Sequence, residues 1–324
     1  MEVFNTQSRK KNVMQSSFWG GFANIIKILL GFVNRSVFIY ILSVDYLGIN
    51  GLFTNILSVL SLAELGVTTA IVYRFYEPIS KGDIVRVGRL MNFLKKVYNT
   101  IALVMAISGM LVLPFIKFLI NSQSQIPGDI NLHVIYLLFL FQSATSYLFV
   151  YKQSILSADQ KNYLISVFQV GNSVLLCLLQ IVVLLIWRNY TLSLALNICT
   201  GLLYNYVVSL WVTKKYSPVF EVKETLSKEE QKIIFEDTKA TMYHKVGSTV
   251  LNSTDNIVIT KMISLTATGL YSNYSMIFIC LKRLLCQVLG TFVSSIGNAK
   301  NDLEKDEYYN IFMLRPFQPD LQLT

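Results

Sequence analysis

VLLCLLQIVVLLIW, residues 174–187, carries a single carboxamide, Gln180, in an otherwise apolar run. Apolar and polar residues do not alternate in it, so it is not a strand of a transmembrane barrel, whose neighbouring side chains face lipid and lumen in turn. Upstream the run continues to Tyr163. A helix rising 1.5 Å per residue crosses the roughly 30 Å hydrocarbon slab in about 20 residues, and residues 163–187 are long enough. LLFLFQSATSYLFV, residues 137–150, likewise fails to alternate.

Segments of the same kind occur at 18–41, 48–75, 93–119, 132–151, 163–187, 191–213, 243–264 and 269–297. Hydrophobic residues make up 53% of the chain, charged residues only 15%, and the mean hydropathy is +0.49, well outside ordinary soluble composition. The expected fold is therefore all-α: a polytopic, multi-pass membrane protein of about eight transmembrane helices in the cell membrane. The first span contains Lys27 and Arg35, which sets it apart from a cleavable signal.

The positive charge is distributed unevenly. Arg9, Lys10 and Lys11 precede helix one, Arg74 to Lys96 surround the second connection, and Lys152 and Lys161 mark the fourth. Seven lysines from Lys214 to Lys245 fill the sixth, whereas the opposite connections hold only Lys117 and Arg188. Loops rich in Lys and Arg remain cytoplasmic, which puts the amino terminus inside. The formal charge of +9 then reflects topology and contact with anionic membrane lipids, not nucleic acid.

GLFTN, residues 51–55, and GLYSN, residues 269–273, match in character position by position. Each opens a long helix after a short, charge-poor loop, and six helices separate them, so both copies run the same way through the membrane. Parallel repeats of this kind build transporters whose halves rock against each other. The domain reading is a cytoplasmic N-terminus at 1–17, a six-helix N-terminal lobe at 18–213 and a cytoplasmic linker at 214–242. Two helices of an incomplete second lobe follow at 243–299. A polar tail at 300–324, broken by Pro316 and Pro319, reads as truncated or frame-shifted. Within the linker, Ser227 and Glu230 have capping-box spacing, predicting a short amphipathic helix on the inner surface through Ile233, Ile234 and Phe235.

At 100° per residue, Gly20, Asn24, Lys27, Gly31 and Asn34 share one side of helix one, with Arg35 at its margin. Asn50, Thr54, Ser61, Glu64 and Thr68 align on helix two, and Gln169, Ser173 and Gln180 on helix five. Helix eight aligns Ser272, Ser275, Lys282, Arg283, Cys286 and Gly290. Each Lys or Arg at mid-membrane costs about 2.5–3.5 kcal/mol, against about 0.3–0.6 returned per Leu or Val. The stripes must therefore face protein or water, and they are expected to line a shared wet interior. Lys27, Arg35, Lys282 and Arg283 are the candidate substrate contacts. Glu64 either neutralises a neighbouring cation or takes part in transport. Asp255 is either a structural counter-ion or a titrating group coupling transport to protons or sodium.

The chain has no Walker loop, no paired-Asp metal motif and no nucleophile motif. Cys177, Cys199, Cys280 and Cys286 lie in apolar segments without CxxC spacing. No enzyme, metal or cofactor is expected.

YLGINGLFTNILSVLSLAELGVTTAIVYRFYEPISKGD, residues 46–83, and STDNIVITKMISLTATGLYSNYS, residues 253–275, resemble the polysaccharide-transporter branch of the multidrug/oligosaccharidyl-lipid/polysaccharide exporter superfamily. The resemblance spans most of residues 10–300. It implies two six-helix lobes around a central cavity and a flippase moving polyprenyl-pyrophosphate-linked oligosaccharide repeat units outward for surface polysaccharide. It also implies that Lys27, Arg35, Lys282 and Arg283 hold the pyrophosphate and acidic sugars, with Asn24, Asn34, Gln169 and Gln180 as polar lining. Polysaccharide polymerase and glycosyltransferases would be the partners. The alternatives are a cation-coupled multidrug exporter of the same superfamily, a membrane glycosyltransferase or polymerase, and an inert scaffold.

Overall fold

The computed structural model describes residues 9–61, 67–121 and 126–299, with the backbone alone for 9–18, 67–70, 283–284 and 286–299 and for most of 237–252. Glu64 and the tail 300–324 lie outside the described residues.

Among the described residues every regular element is helical. In chain order they are α1 (Arg9–Ile41), α2 (Val44–Leu60), α3 (Val67–Lys81), α4 (Ile84–Val112), α5 (Ile116–Leu119) and α6 (Leu132–Val150). There follow α7 (Gln153–Ala158), α8 (Asn162–Trp187), α9 (Tyr190–Lys215), α10 (Ser217–Phe220), α11 (Lys228–Met262) and α12 (Leu265–Ala299). Five stretches among the described residues are long and apolar enough to cross a membrane: Trp19–Ile41, Ile84–Leu119, Leu132–Val150, Asn162–Trp187 and Tyr190–Lys215.

Local chemistry sets the ends of these helices. Arg188 closes α8 in the left-handed region at φ 48°, and Asn189 then caps α9 by accepting from the Leu192 amide at 2.9 Å. Asn131 caps α6 in the same way. Gly82, at φ +68°, turns the chain between α3 and α4, and Asp83 caps α4 by accepting from the Arg86 amide. Because of that cap α4 begins at Ile84, well before the expected residue 93. The helix expected over 48–75 is α2, ending at its cap Ser61, and then α3, which carries Pro78 internally; residues 62–66 between them are not described.

The linker also departs from expectation. Ser227 and Glu230 form both bonds of the capping box, yet the helix they start is not a short one on the surface. It is continuous with the expected seventh span, since Lys228–Met262 contains no proline and only Gly247 as a weak point. Its first turns pack inward: Ile234 is buried, and Phe235 meets Phe93 of α4 edge to face at 5.9 Å. The preceding linker is strapped to α4. Asn92 donates to the carbonyls of Val222 at 2.7 Å and Glu224 at 2.9 Å, and Arg89 pairs with the Glu224 carboxylate.

The core joins α2, α4, α6 and α9. Ile49, Leu52 and Phe53 of α2 are fully buried with Leu94 of α4 and Tyr136 of α6. The Tyr136 hydroxyl donates to the Gly109 carbonyl at 2.9 Å, satisfying a polar atom where no water reaches. Leu103 and Leu111 of α4 and Leu178 and Leu185 of α8 are exposed, as apolar residues facing lipid are.

The chain falls into two compact units, Met1–Leu270 and a second beginning at Tyr271. Within the first, α2 and the start of α12 cross reciprocally. A Cβ on Gly48 would stand 2.1 Å from the Leu265 carbonyl oxygen, and one on Gly269 would stand 2.3 Å from the Val44 carbonyl oxygen. Val44 and Leu265 open their helices, and the residues after them, Asp45 and Thr266, hydrogen-bond to each other. The crossing thus sets Gly269 opposite Gly48. Only glycine permits so close an approach of backbones here.

Candidate functional site

The α1 stripe faces α8. The Lys27 ammonium donates to the Gln169 side-chain carbonyl at 2.9 Å, and the Asn34 carboxamide donates to that of Gln180 at 2.7 Å. Gln180 is buried and passes the chain on, donating to the Ser193 hydroxyl of α9 at 2.8 Å. A membrane-embedded polar seam thus ties three helices together. Two of the stripes read from sequence, on helices one and five, meet along it. Cys177 packs on the same seam, against the Leu30 carbonyl at 3.9 Å.

Asn24 and Arg35 are half-buried on α1. Asp255 is exposed on α11, whereas its neighbours Ser253, Asn256 and Thr260 are buried. Lys282 is exposed on the part of α12 that belongs to the second unit; the side chain of Arg283 and all of Glu64 lie outside the described residues. Lys261 of α11 donates to the Phe118 carbonyl, with its ammonium 4.0 Å from that ring's centroid.

A second feature lies between α2, α6 and α9: a cavity of about 440 Å³. Thr54, Ser58 and Ser61 line it from α2, Gln142, Ser143 and Ser146 from α6, and Asn197 and Asn205 from α9. Phe139, Leu57 and Leu202 supply apolar wall, and among the described residues none that lines it is a carboxylate, an amine, a guanidinium or an imidazole. Gln142 sits near the middle of α6, so the cavity lies at membrane depth.

Sequence reading found Thr54 and Ser61 but missed the α6 and α9 residues. The signal was present: Gln142, Ser143 and Ser146 recur at helical spacing, as do Asn197 and Asn205, the same test that found the α1 stripe. The flanking residues are so apolar that these amides left the segments reading as plain spans.

At the charge-rich end, Asp159 is buried, accepts from the Tyr216 hydroxyl at 2.6 Å and pairs with Lys161. Burial first, and the Asp159 charge next, push the Tyr216 phenol far above its ordinary range. This cluster pins the turn after α7 to the end of α9.

The described residues thus form a multi-pass helical bundle with a polar seam and a polar cavity among its apolar spans. Among solved structures, the chain is similar to a MOP superfamily transporter from Pyrococcus furiosus Vc1 (DSM3638), for which a binding pocket of reverse polarity is described as suggesting a different function. The TM-score is 0.55 at 12% sequence identity, over 94% of this chain and 68% of that one. The likeness is one of fold. No family model and no curated protein matches the sequence.

Proposed function

We propose that this chain is a flippase that moves polyprenyl-pyrophosphate-linked oligosaccharide repeat units across the cytoplasmic membrane for surface polysaccharide. The observation that carries the reading is Lys27, a cation at membrane depth oriented by the side-chain carbonyl of Gln169. A pyrophosphate crossing hydrocarbon needs such cations, because its transfer into low dielectric is otherwise prohibitive.

In this reading Lys27 and Arg35, with Lys282 and Arg283 on the later helix, hold the headgroup. Asn24, Asn34, Gln169 and Gln180 orient them, Glu64 and Asp255 balance charge or couple an ion, and the prenyl tail stays in lipid. The amino terminus and the 214–242 linker face the cytoplasm, and the two halves alternate access. Polysaccharide polymerase and glycosyltransferases act on either side of the step.

The test uses proteoliposomes holding the full chain and a fluorescent polyprenyl-pyrophosphate-linked sugar. Lys27→Gln is expected to reduce translocation about tenfold or more, and Lys27→Arg to keep most of it. Equal rates in all three proteins would remove the reading.

A further inference from the structure

The cavity between α2, α6 and α9 belongs to no part of the cationic seam. Its walls give a chemical specification. The Ser58, Ser61 and Ser146 hydroxyls donate to carbonyls of their own helices, at 2.8, 2.8 and 2.7 Å, which leaves their oxygens as acceptors toward the space. The carboxamides of Gln142, Asn197 and Asn205 make no side-chain hydrogen bond among the described residues, and each offers two donors and one acceptor group. At membrane depth such amides need a polar occupant, since hydrocarbon satisfies none of them.

The occupant is constrained on three sides. It is polar and rich in both donors and acceptors, to match hydroxyls and carboxamides together. It is uncharged, because none of the described lining residues carries a charge and an ion without a counter-charge at this depth is costly. It presents an apolar face as well, to meet Phe139 and Leu57. A pyranose ring has these properties: hydroxyls around its edge and C–H groups on its faces. The volume of about 440 Å³ lies within the roughly 300–1,000 Å³ of small-molecule sites.

We propose that this cavity is a carbohydrate subsite for neutral pyranose units, separate from the cations of α1; as the site of a sugar being carried, it rests on the flippase reading above. The seam then engages the anionic part of a lipid-linked substrate while the cavity reads its uncharged sugar, which makes Gln142, Asn197 and Gly201 specificity determinants. Gly201 keeps the cavity open from the α9 side. A Cβ there meets only the Gln142 amide nitrogen, at 3.5 Å, so alanine fits and larger side chains occupy the space.

The test is direct binding to the purified full chain in a sugar-free detergent, with a neutral N-acetylhexosamine disaccharide as probe and inorganic pyrophosphate as the charged control. Wild type and Leu185→Ala, altered on the exposed face of α8, are expected to bind the disaccharide alike. Gly201→Val and Gln142→Leu are expected to bind it about tenfold more weakly with unchanged unfolding midpoints. A parallel arm compares translocation of polyprenyl pyrophosphate with and without one sugar; the cavity variants should slow only the glycosylated lipid, which separates a carried sugar from a free glycan. No disaccharide binding by wild type, or undiminished binding by both cavity variants, overturns the subsite. Failure of Lys27→Gln to slow either lipid, with sugar binding still lost in Gly201→Val, removes the flippase reading and leaves a glycan-binding cavity standing.

Discussion

Gln180 bonds in two directions, accepting from Asn34 and donating to Ser193, so one side chain couples three helices. Polar contacts between membrane helices contribute about 0.6 kcal/mol on average and up to about 1.7. Gln180→Leu, which keeps the volume and breaks both bonds, should lower the unfolding free energy by about 1–2 kcal/mol, read from denaturant unfolding in detergent. Asp159 is a stronger case, because its side chain and that of Lys161 are 6% and 11% exposed. Asp159→Ala leaves a buried ammonium and the Tyr216 hydroxyl without this acceptor and should cost about 3–5 kcal/mol. The exposed Arg89 and Glu224 pair should be worth under about 1 kcal/mol in the same assay. Tyr216 adds a pH signature. Its folded state holds the proton that the unfolded chain releases near pH 10, so stability should fall as pH rises past about 10. Tyr216→Phe should flatten that fall.

At the scale of elements, the crossing of α2 and α12 rests on two glycines. Gly48→Ala sets a methyl group against a backbone carbonyl 2.1 Å away, and no rotamer change relieves that contact. A loss of about 1–3 kcal/mol is expected, visible as a lower thermal midpoint; Gly20→Ala, with nothing within 4 Å, should be neutral or slightly stabilising. These two glycines also show what the sequence could and could not convey. Long, mainly apolar segments without charge, such as 163–187, made the spans readable, and the spacing of Ser227 and Glu230 gave a helix start that the structure retains. The length of α11 was not readable, because lysines and glutamates along 228–245 look like a solvated linker until Ile234 and Phe235 are seen packed on α4. The close approach of Gly48 and Gly269 was not readable either, because it is set by carbonyl positions that no letter records.

For the molecule as a whole, the α1 and α8 stripes meet because each buries polar atoms that lipid cannot satisfy, and helical periodicity encodes that requirement. The neutral cavity follows the same rule on α2, α6 and α9. The account depends on those membrane-depth polar side chains bordering a solvated interior and not acyl chains. The most direct test is thiol accessibility in the reconstituted full chain with Cys177, Cys199, Cys280 and Cys286 replaced by serine or alanine. One cysteine is introduced at Ser143, on the cavity wall, or at Leu185, exposed on α8. The account predicts that a charged, hydrophilic methanethiosulfonate modifies the Ser143→Cys protein rapidly and the Leu185→Cys protein slowly or not at all. Equal rates, or modification of Leu185→Cys alone, would contradict it.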